Sequence, residues 1–419
     1  MASIRIEGGY KLSGEIRVDG AKNSAVALIP AAILCGDKVV LKNVPNISDI
    51  EALSDILKLL GVEVSRGVNT IEIDSRNMVN KDISCEYSSK LRASYYFMGV
   101  LLGKYKHVNM CFPGGCSIGE RPINLHLKGF EKLGASIIDD DGNFTIDAEK
   151  LLGDEIFLDV PSVGATINIM LAAVLAPGKT VIDNAAMEPE IVDVACFLNK
   201  MGANIKGMGT PKIEIIGVEK LHGTVHSVIP DRIEAGTYVI IASLLGNRLK
   251  VSGLRPSHIE SLTSKLEEAG VKLKIGKNYI KVNKVGSYKA IDIRTVVYPG
   301  FPTDLQQPLI PFLTQCHGIS NVEETIYENR FMNIPDTVKM GAKIEVSDDN
   351  YSAKVHGKTK LKGENVVATD LRGGASMVIC GLLADGVTTI TNVRHILRGY
   401  DDIVGKLKRV GAKIEIIED

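Results

Sequence analysis

Two kinds of apolar stretch alternate along this chain of 419 residues. One kind is amphipathic: IEALSDILKLLG from Ile50 and DDIVGKLKRVG from Asp401 place apolar residues at helical spacing and end in glycine. Such a glycine suits the left-handed residue that closes a helix C-terminus. The phrase recurs six times, at Gly61, Gly134, Gly202, Gly270, Gly341 and Gly411, with separations of 73, 68, 68, 71 and 70 residues. The second kind is rich in small residues. It begins near Lys22 (KNSAVALIPAAILCG), Arg92, Gly164, Arg232, Asp304 and Arg372, about forty residues ahead of each glycine phrase. Its Ala and Gly content predicts helices buried on most sides. Alternating runs such as KIEVSD, KIEIIED, KTVIDNA and TTITNV predict strands. One repeat therefore reads as strand–strand–helix–strand–helix–strand.

A repeat of about seventy residues cannot cover its own apolar faces, so repeats must share cores. At roughly 150 residues per domain the length suggests two or three cores. Three repeats plus three fits this best, with a single cut near residue 215 suggested by the repeat spacing.

Composition narrows the class. With 45% hydrophobic and 24% charged residues, disorder is not expected. The formal net charge is −1, which argues against a nucleic-acid coat or a membrane-surface protein. The longest apolar run, Ala25 to Cys35, contains Pro30 and is too short to span a bilayer. The N-terminus alternates like a strand and has no basic-then-apolar leader. Cysteines occur at 35, 85, 111, 116, 196, 316 and 380, an odd number with no C-x-x-C pair. Neither a disulfide framework nor a structural zinc site is expected, and a reducing cytoplasm is the expected setting. Cys35, Cys196 and Cys380 read as buried small hydrophobes.

Lys22, Arg92, Arg232 and Arg372 stand at or just before the small-residue helices. Cations there oppose the helix dipole, so their presence points to anions gathered at these ends, in a local cationic cleft that the whole-chain charge hides. Asp304, on the turn YPGFPTDLQQP, breaks that pattern. It reads either as a plain N-cap or as a general base facing cations. The segment CFPGGCSIGERPINLH combines glycines and prolines with Cys116, five residues before Arg121. It lacks a Walker or dinucleotide fingerprint and reads as a lid-like connection carrying a thiol of lowered pKa. His126 follows, on a helical face or toward a substrate. The remaining histidines show no metal-ligand spacing.

Taken in order, GAKNSAVA at Gly20, GGCSIGERP around Cys116, SVGAT at Ser162, PDRIEAGTY at Pro230, FPTDLQ at Phe301, ENRF at Glu328 and RGY at Arg398 carry a resemblance. From about residue 3 to residue 417 the chain resembles the UDP-N-acetylglucosamine 1-carboxyvinyltransferases of the EPSP synthase superfamily. The resemblance implies an α/β fold: a two-domain inside-out α/β barrel of six βαβαββ repeats, three per domain. Residues 21–229 would form one domain, and 1–20 with 230–419 the other, with the active site in the cleft between them.

The same resemblance implies transfer of the enolpyruvyl group of phosphoenolpyruvate to the 3′-hydroxyl of UDP-N-acetylglucosamine, releasing phosphate, as the first committed step of peptidoglycan synthesis. By it, Cys116, Asp304 and Lys22 are catalytic. Lys22, Asn23, Arg121, Arg330, Arg372 and Arg398 hold phosphoenolpyruvate. Asn23, Arg92, Arg121, Pro122, Ile123, Asn124, Leu125, Ser162, Val163, Gly164, Asp304 and Ile326 hold the UDP-sugar. No cofactor or metal is implied, nor any nucleic acid, membrane or obligate protein partner. Where some members carry a lysine ahead of SVGAT, this chain has Val160, which removes one cation near the diphosphate. The nearest rival, 3-phosphoshikimate 1-carboxyvinyltransferase, lacks the Cys116 loop. A sensor built from the same repeats, binding UDP-sugars without turnover, is the rival from another class.

Overall fold

Each of the six repeat glycines follows a helix and has a left-handed backbone, with φ of 76° at Gly61 and between 100° and 108° at the other five. Beyond each glycine, a small or β-branched residue donates its N–H back to a carbonyl in the preceding helix: Val62 to Leu57, Ala135 to Phe130, Ala203 to Leu198, Val271 to Leu266, Ala342 to Thr337 and Ala412 to Leu407. This is the Schellman closure, which satisfies carbonyls that the helix end leaves open. It explains why the phrase demands glycine, and why it is the most regular feature of the sequence.

The computed structural model describes residues 2–114 and 122–418. Among the described residues, strands are arranged in six small sheets, one per repeat. The third repeat is representative. Glu155–Phe157 pairs in parallel with Lys179–Asp183, and the buried helix Val163–Ala173 makes the crossover. The amphipathic helix Pro189–Lys200 then leads to an antiparallel hairpin, Asn204–Lys206 with Lys212–Ile216. The repeat thus runs strand–helix–strand–helix–strand–strand, a different starting point from the order read off the sequence. In the second repeat the first strand shrinks to a single parallel bridge between Ile83 and Met110.

Two compact units result: residues 20–114 with 122–229, and residues 2–19 with 230–418. Each has its own apolar core. In the first unit, Val225–Ser227 returns to pair in parallel with Lys38–Lys42, so the end of the segment completes its first sheet. In the other, Leu12–Arg17 pairs in parallel with Gly246–Ser252, and Ser3–Glu7 lies antiparallel between Val387–Thr391 and Lys413–Ile417.

The small-residue helices are buried along nearly their whole length. Close approach explains their composition: a Cβ on Gly99, in the helix Tyr96–Tyr105, would lie 2.3 Å from Asn168 Oδ1 and 2.4 Å from the Asn168 carbonyl oxygen of the helix Val163–Ala173. Among the described residues no helix is long and apolar enough to cross a membrane.

Of the cysteines expected to be buried, Cys380 is buried and Cys35 half-buried, and two other cysteine expectations fail. Cys85, opening the short helix Cys85–Ser88, is disulfide-bonded to Cys111 at the end of the strand His107–Cys111, with Cα atoms 5.0 Å apart. The pairing joins neighbours created by the fold rather than by sequence spacing. Cys196 is exposed, because Ile191, Val194, Ala195 and Leu198 make up the inner face of its helix.

Candidate active site

In the unit formed by residues 2–19 and 230–418, Pro302 is extended and precedes the helix Thr303–Leu313, whose first turn carries Asp304. Two arginines bracket this carboxylate. Arg330 Nη2 lies 2.5 Å from Oδ1 and Arg372 Nη2 lies 3.1 Å from Oδ2. The arginine side chains are 3% and 4% exposed, that of Asp304 26%. Arg330 also donates from Nε to the Thr303 hydroxyl at 3.1 Å and from Nη1 to Gln307 at 3.3 Å, and it stacks 5.1 Å from the Tyr327 ring. Arg372 donates from Nη1 to the Tyr400 hydroxyl at 3.2 Å. Its Nε is buried with no hydrogen-bond partner among the described residues.

Burial alone would raise the pKa of Asp304, but the charges of Arg372 and Arg330 outweigh it and hold the carboxyl well below the usual range. As arranged, the group is ionised and weakly basic. It becomes a useful base only when some guanidinium charge is drawn onto another anion. Asp304 is therefore not a plain cap. Aspartates that do cap helices in this unit include Asp231, which accepts from Ile233 N and Glu234 N, and Asp370, which accepts from Arg372 N and Gly373 N. Asp370 also receives Gln307 Nε2 at 3.0 Å and lies 3.9 Å from Arg330. In this unit the cations are paired: Arg330 and Arg372 share Asp304, the lone carboxylate expected to face cations, and Asp370 lies beside Arg330. Arg232 opens the helix Arg232–Leu245 and lies 5.6 Å from the Tyr298 ring. Arg398 follows the short helix Arg394–Leu397 and is half-buried, as is Ile326, whose N–H donates to Glu324.

In the unit formed by residues 20–114 and 122–229, Lys22 is the first residue of the helix Lys22–Ala31. Its Nζ lies 2.8 Å from Asp49 Oδ2, with both side chains largely buried. Asn23 follows, half-buried. Ser24 donates to Asp193 Oδ2 at 2.5 Å, and the same carboxylate meets His226 and the Ile229 N–H, which fixes the first turn of that helix. Arg92 donates to the Pro113 carbonyl at 3.3 Å and lies over the Phe112 and Tyr95 rings.

The SVGAT segment opens a helix capped by Ser162, whose hydroxyl accepts from Ala165 N at 3.3 Å. Val163 is the first helical residue. Gly164 admits no side chain, because a Cβ would lie 2.9 Å from the Tyr95 hydroxyl and 3.0 Å from the His126 ring. His126 is buried and bonded through Nδ1 to the Asn168 amide at 2.9 Å. Burial first, and then the charge of Arg92, push its pKa down to about 3, so it stays neutral at physiological pH and belongs to the helix packing. Pro122 and Asn124 are exposed, Leu125 is half-buried, and Ile123 is buried at the start of the helix Asn124–Lys132. Val160 is 59% exposed. Cys116 and Arg121 lie outside the described residues.

Sequence reading missed the partners that hold these groups: Asp49, Asp193, Asp370, Gln307, Tyr400 and Glu324. Asp370 had a local signal, as an aspartate two residues before Arg372 at a helix start. Gln307 is one helical turn beyond Asp304 and Tyr400 closes the RGY motif, while Asp49, Asp193 and Glu324 come from segments that only the fold brings in.

Residues 6–407 match the family described as EPSP synthase (3-phosphoshikimate 1-carboxyvinyltransferase). Similar relatives are UDP-N-acetylglucosamine 1-carboxyvinyltransferase 2 of Bacillus cereus, 52% identical over 99% of this chain and 96% of that protein, and its namesake from Listeria innocua, 51% identical over 98% and 96%. Among solved structures, the enolpyruvyl transferase NikO from Streptomyces tendae superposes with a TM-score of 0.89 at 23% identity, covering 99% of this chain and 98% of its own. An EPSP synthase from Acinetobacter baumannii gives 0.75 at 18% identity, with full coverage of both chains. These structures share the fold.

Proposed function

The chain belongs to the UDP-N-acetylglucosamine 1-carboxyvinyltransferases within the EPSP synthase family, and we propose that its residues carry out that reaction in the roles set out below. The enolpyruvyl group of phosphoenolpyruvate passes to the 3′-hydroxyl of UDP-N-acetylglucosamine, and phosphate leaves. The reaction commits the sugar nucleotide to peptidoglycan synthesis, and its proposed setting is the cytoplasm, a reducing compartment in which the Cys85–Cys111 bond would be an exception. The observation that carries this reading is a carboxylate, Asp304, held between two buried arginines in a chain 52% identical to enzymes of that name.

Chemically, the sugar oxygen attacks C2 of phosphoenolpyruvate while C3 gains a proton. Cys116 supplies that proton and Asp304 removes the one on the hydroxyl. The tetrahedral adduct then loses phosphate from C2 and a proton from C3, restoring the double bond. Asp304 is a poor base while both arginines rest on it. An incoming carboxylate or phosphate that competes for Arg330 and Arg372 raises its basicity when substrate is bound. The unpartnered Nε of buried Arg372 supports anion binding there, since a buried guanidinium donor left unmade is costly. Lys22, Asn23, Arg121 and Arg398 complete the phosphoenolpyruvate site in this proposal. Arg92, the residues from Pro122 to Leu125, Ser162 to Gly164 and Ile326 receive the sugar nucleotide.

The test is phosphate release, assayed with phosphoenolpyruvate plus UDP-N-acetylglucosamine and, separately, plus shikimate 3-phosphate. Release in the first mixture alone is expected. Release only in the second would transfer the chain to the sister reaction, and binding of the UDP-sugar without release in either would make it a sensor.

A further inference from the structure

Glu324 is 1% exposed, and its carboxylate collects four hydrogen bonds. Oε1 accepts from the Thr295 hydroxyl at 2.9 Å, from Ile326 N at 2.9 Å and from Tyr327 N at 3.2 Å. Oε2 accepts from the Thr303 hydroxyl at 3.0 Å. Every one of these donors is neutral. Thr303 is the residue immediately before Asp304, and its oxygen in turn accepts Arg330 Nε at 3.1 Å. Arg330 therefore has its two ends fixed by different partners: Nη2 by Asp304, and Nε by a hydroxyl whose orientation Glu324 dictates. Because Thr303 must donate to Glu324, its lone pairs face the guanidinium. With Glu324 absent, only the guanidinium itself would orient that hydroxyl, and its proton would have no fixed acceptor.

We infer that Glu324 is a positioning residue that sets the placement of Arg330 against Asp304 through the hydroxyl of Thr303. It reaches no reacting atom itself. Its other oxygen pins the turn at Ile326 and Tyr327, and the Tyr327 ring packs against the same guanidinium. One buried carboxylate thus orders both the first turn of the Asp304 helix and the loop that brings Arg330 back to it. The inference rests on the reading of Asp304 and Arg330 as part of the enolpyruvyl-transfer site.

Two substitutions isolate the relay. In Glu324→Gln the side-chain oxygen can keep the three Oε1 bonds while the amide nitrogen donates to Thr303, so the hydroxyl loses its fixed acceptor and its oxygen is shared between the amide and Arg330. Thr303→Val removes the relay and leaves the Glu324 loop bonds in place. Each variant is expected to lower kcat by ~10-fold or more, with KM for UDP-N-acetylglucosamine within ~3-fold of wild type, as for a group that acts on the reacting arrangement rather than on sugar binding. The double variant should be no slower than the slower single variant, because both break one chain of contacts. Multiplicative losses, or an unchanged kcat in either single variant of a wild-type enzyme that turns over, would overturn the inference.

A readout independent of turnover uses the arginine Hε–Nε NMR signals of the full chain. The Arg330 signal should be slow to exchange in wild type and become fast in both variants alike, with circular dichroism unchanged. Retained protection in either one also overturns the inference, whatever the phosphate-release assay says of the reaction.

Discussion

Arg330 donates to Asp304 Oδ1 across 2.5 Å, and the guanidinium is far more deeply buried than the carboxylate it serves. The pair is thus a deeply buried cation with a more exposed counter-ion, and in the proposed reaction a substrate anion would compete with that counter-ion for the guanidinium. Removing the carboxylate leaves two buried arginines without it. Asp304→Ala should lower kcat by ~10³-fold or more while the affinity for UDP-N-acetylglucosamine changes by less than ~10-fold, as expected for a group used in the transition state. Steady-state kinetics at saturating phosphoenolpyruvate check this, and a near-normal kcat removes Asp304 from the chemistry.

The same carboxylate predicts an acid limb. Its folded-state pKa lies below the ordinary value, so its stabilising contribution is complete above about pH 4 and disappears as pH falls through the lower folded value. Between pH 5 and 3, the Tm of Asp304→Asn should drop less steeply than that of wild type. Parallel slopes in differential scanning calorimetry would show that the arginines do not hold the carboxyl down.

His126 supplies a second pH signature at higher pH. Its pKa is pushed down to about 3 from an ordinary 6.5, so the unfolded chain takes up a proton that the folded chain refuses. The stability linked to its neutral form is full above about pH 6.5 and is lost as pH falls toward 3. A His126→Asn variant, which keeps a polar atom near the Asn168 amide, should show a flatter Tm between pH 7 and 5 than wild type. An identical profile would mean that His126 carries a proton when folded.

Cys116 can be tested chemically. Fosfomycin, an epoxide phosphonate that mimics phosphoenolpyruvate, should open on its thiolate and add one equivalent of mass. Intact-mass analysis and peptide mapping locate the adduct, which Cys116→Ser should abolish. A modification at Cys35 or Cys196 in its place would count against the assignment.

Packing makes its own prediction. Gly99 faces the Asn168 carbonyl with no room for a Cβ, so Gly99→Val should cost at least ~2 kcal/mol by overpacking. Urea unfolding measures the loss, and a cost below ~0.5 kcal/mol, the level of an ordinary surface change, would mean that the two helices can separate freely.

Much of the fold was legible because the repeat leaves local signatures. The glycines from Gly61 to Gly411 mark helix ends through a backbone requirement that no other residue meets as cheaply. The Ala/Gly helices mark close packing in the same local way. The start of each βαβαββ repeat was harder to place, because strands such as Val225–Ser227 and Ser3–Glu7 complete sheets whose other strands are far away in sequence. Asp304, Arg330 and Arg372 were named from motifs. Their mutual pairing, and the contacts of Tyr400 with Arg372 and of Glu324 with Thr303, depend on distances that no single stretch of sequence contains. The Cys85–Cys111 bond was missed for the same reason, since only the fold makes those two residues neighbours.

The borrowed strands also set an order of events at the ribosome. Ser3–Glu7 and Leu12–Arg17 are synthesised well before their hydrogen-bonding neighbours, which begin at Gly246 and end with the strand Lys413–Ile417. The leading residues must therefore wait, unpaired, while the unit between them is translated and closes on Val225–Ser227. A nascent chain stalled before residue 225 would present the open margin of Lys38–Lys42 to any other extended peptide, an exposed edge that invites aggregation until Val225–Ser227 arrives.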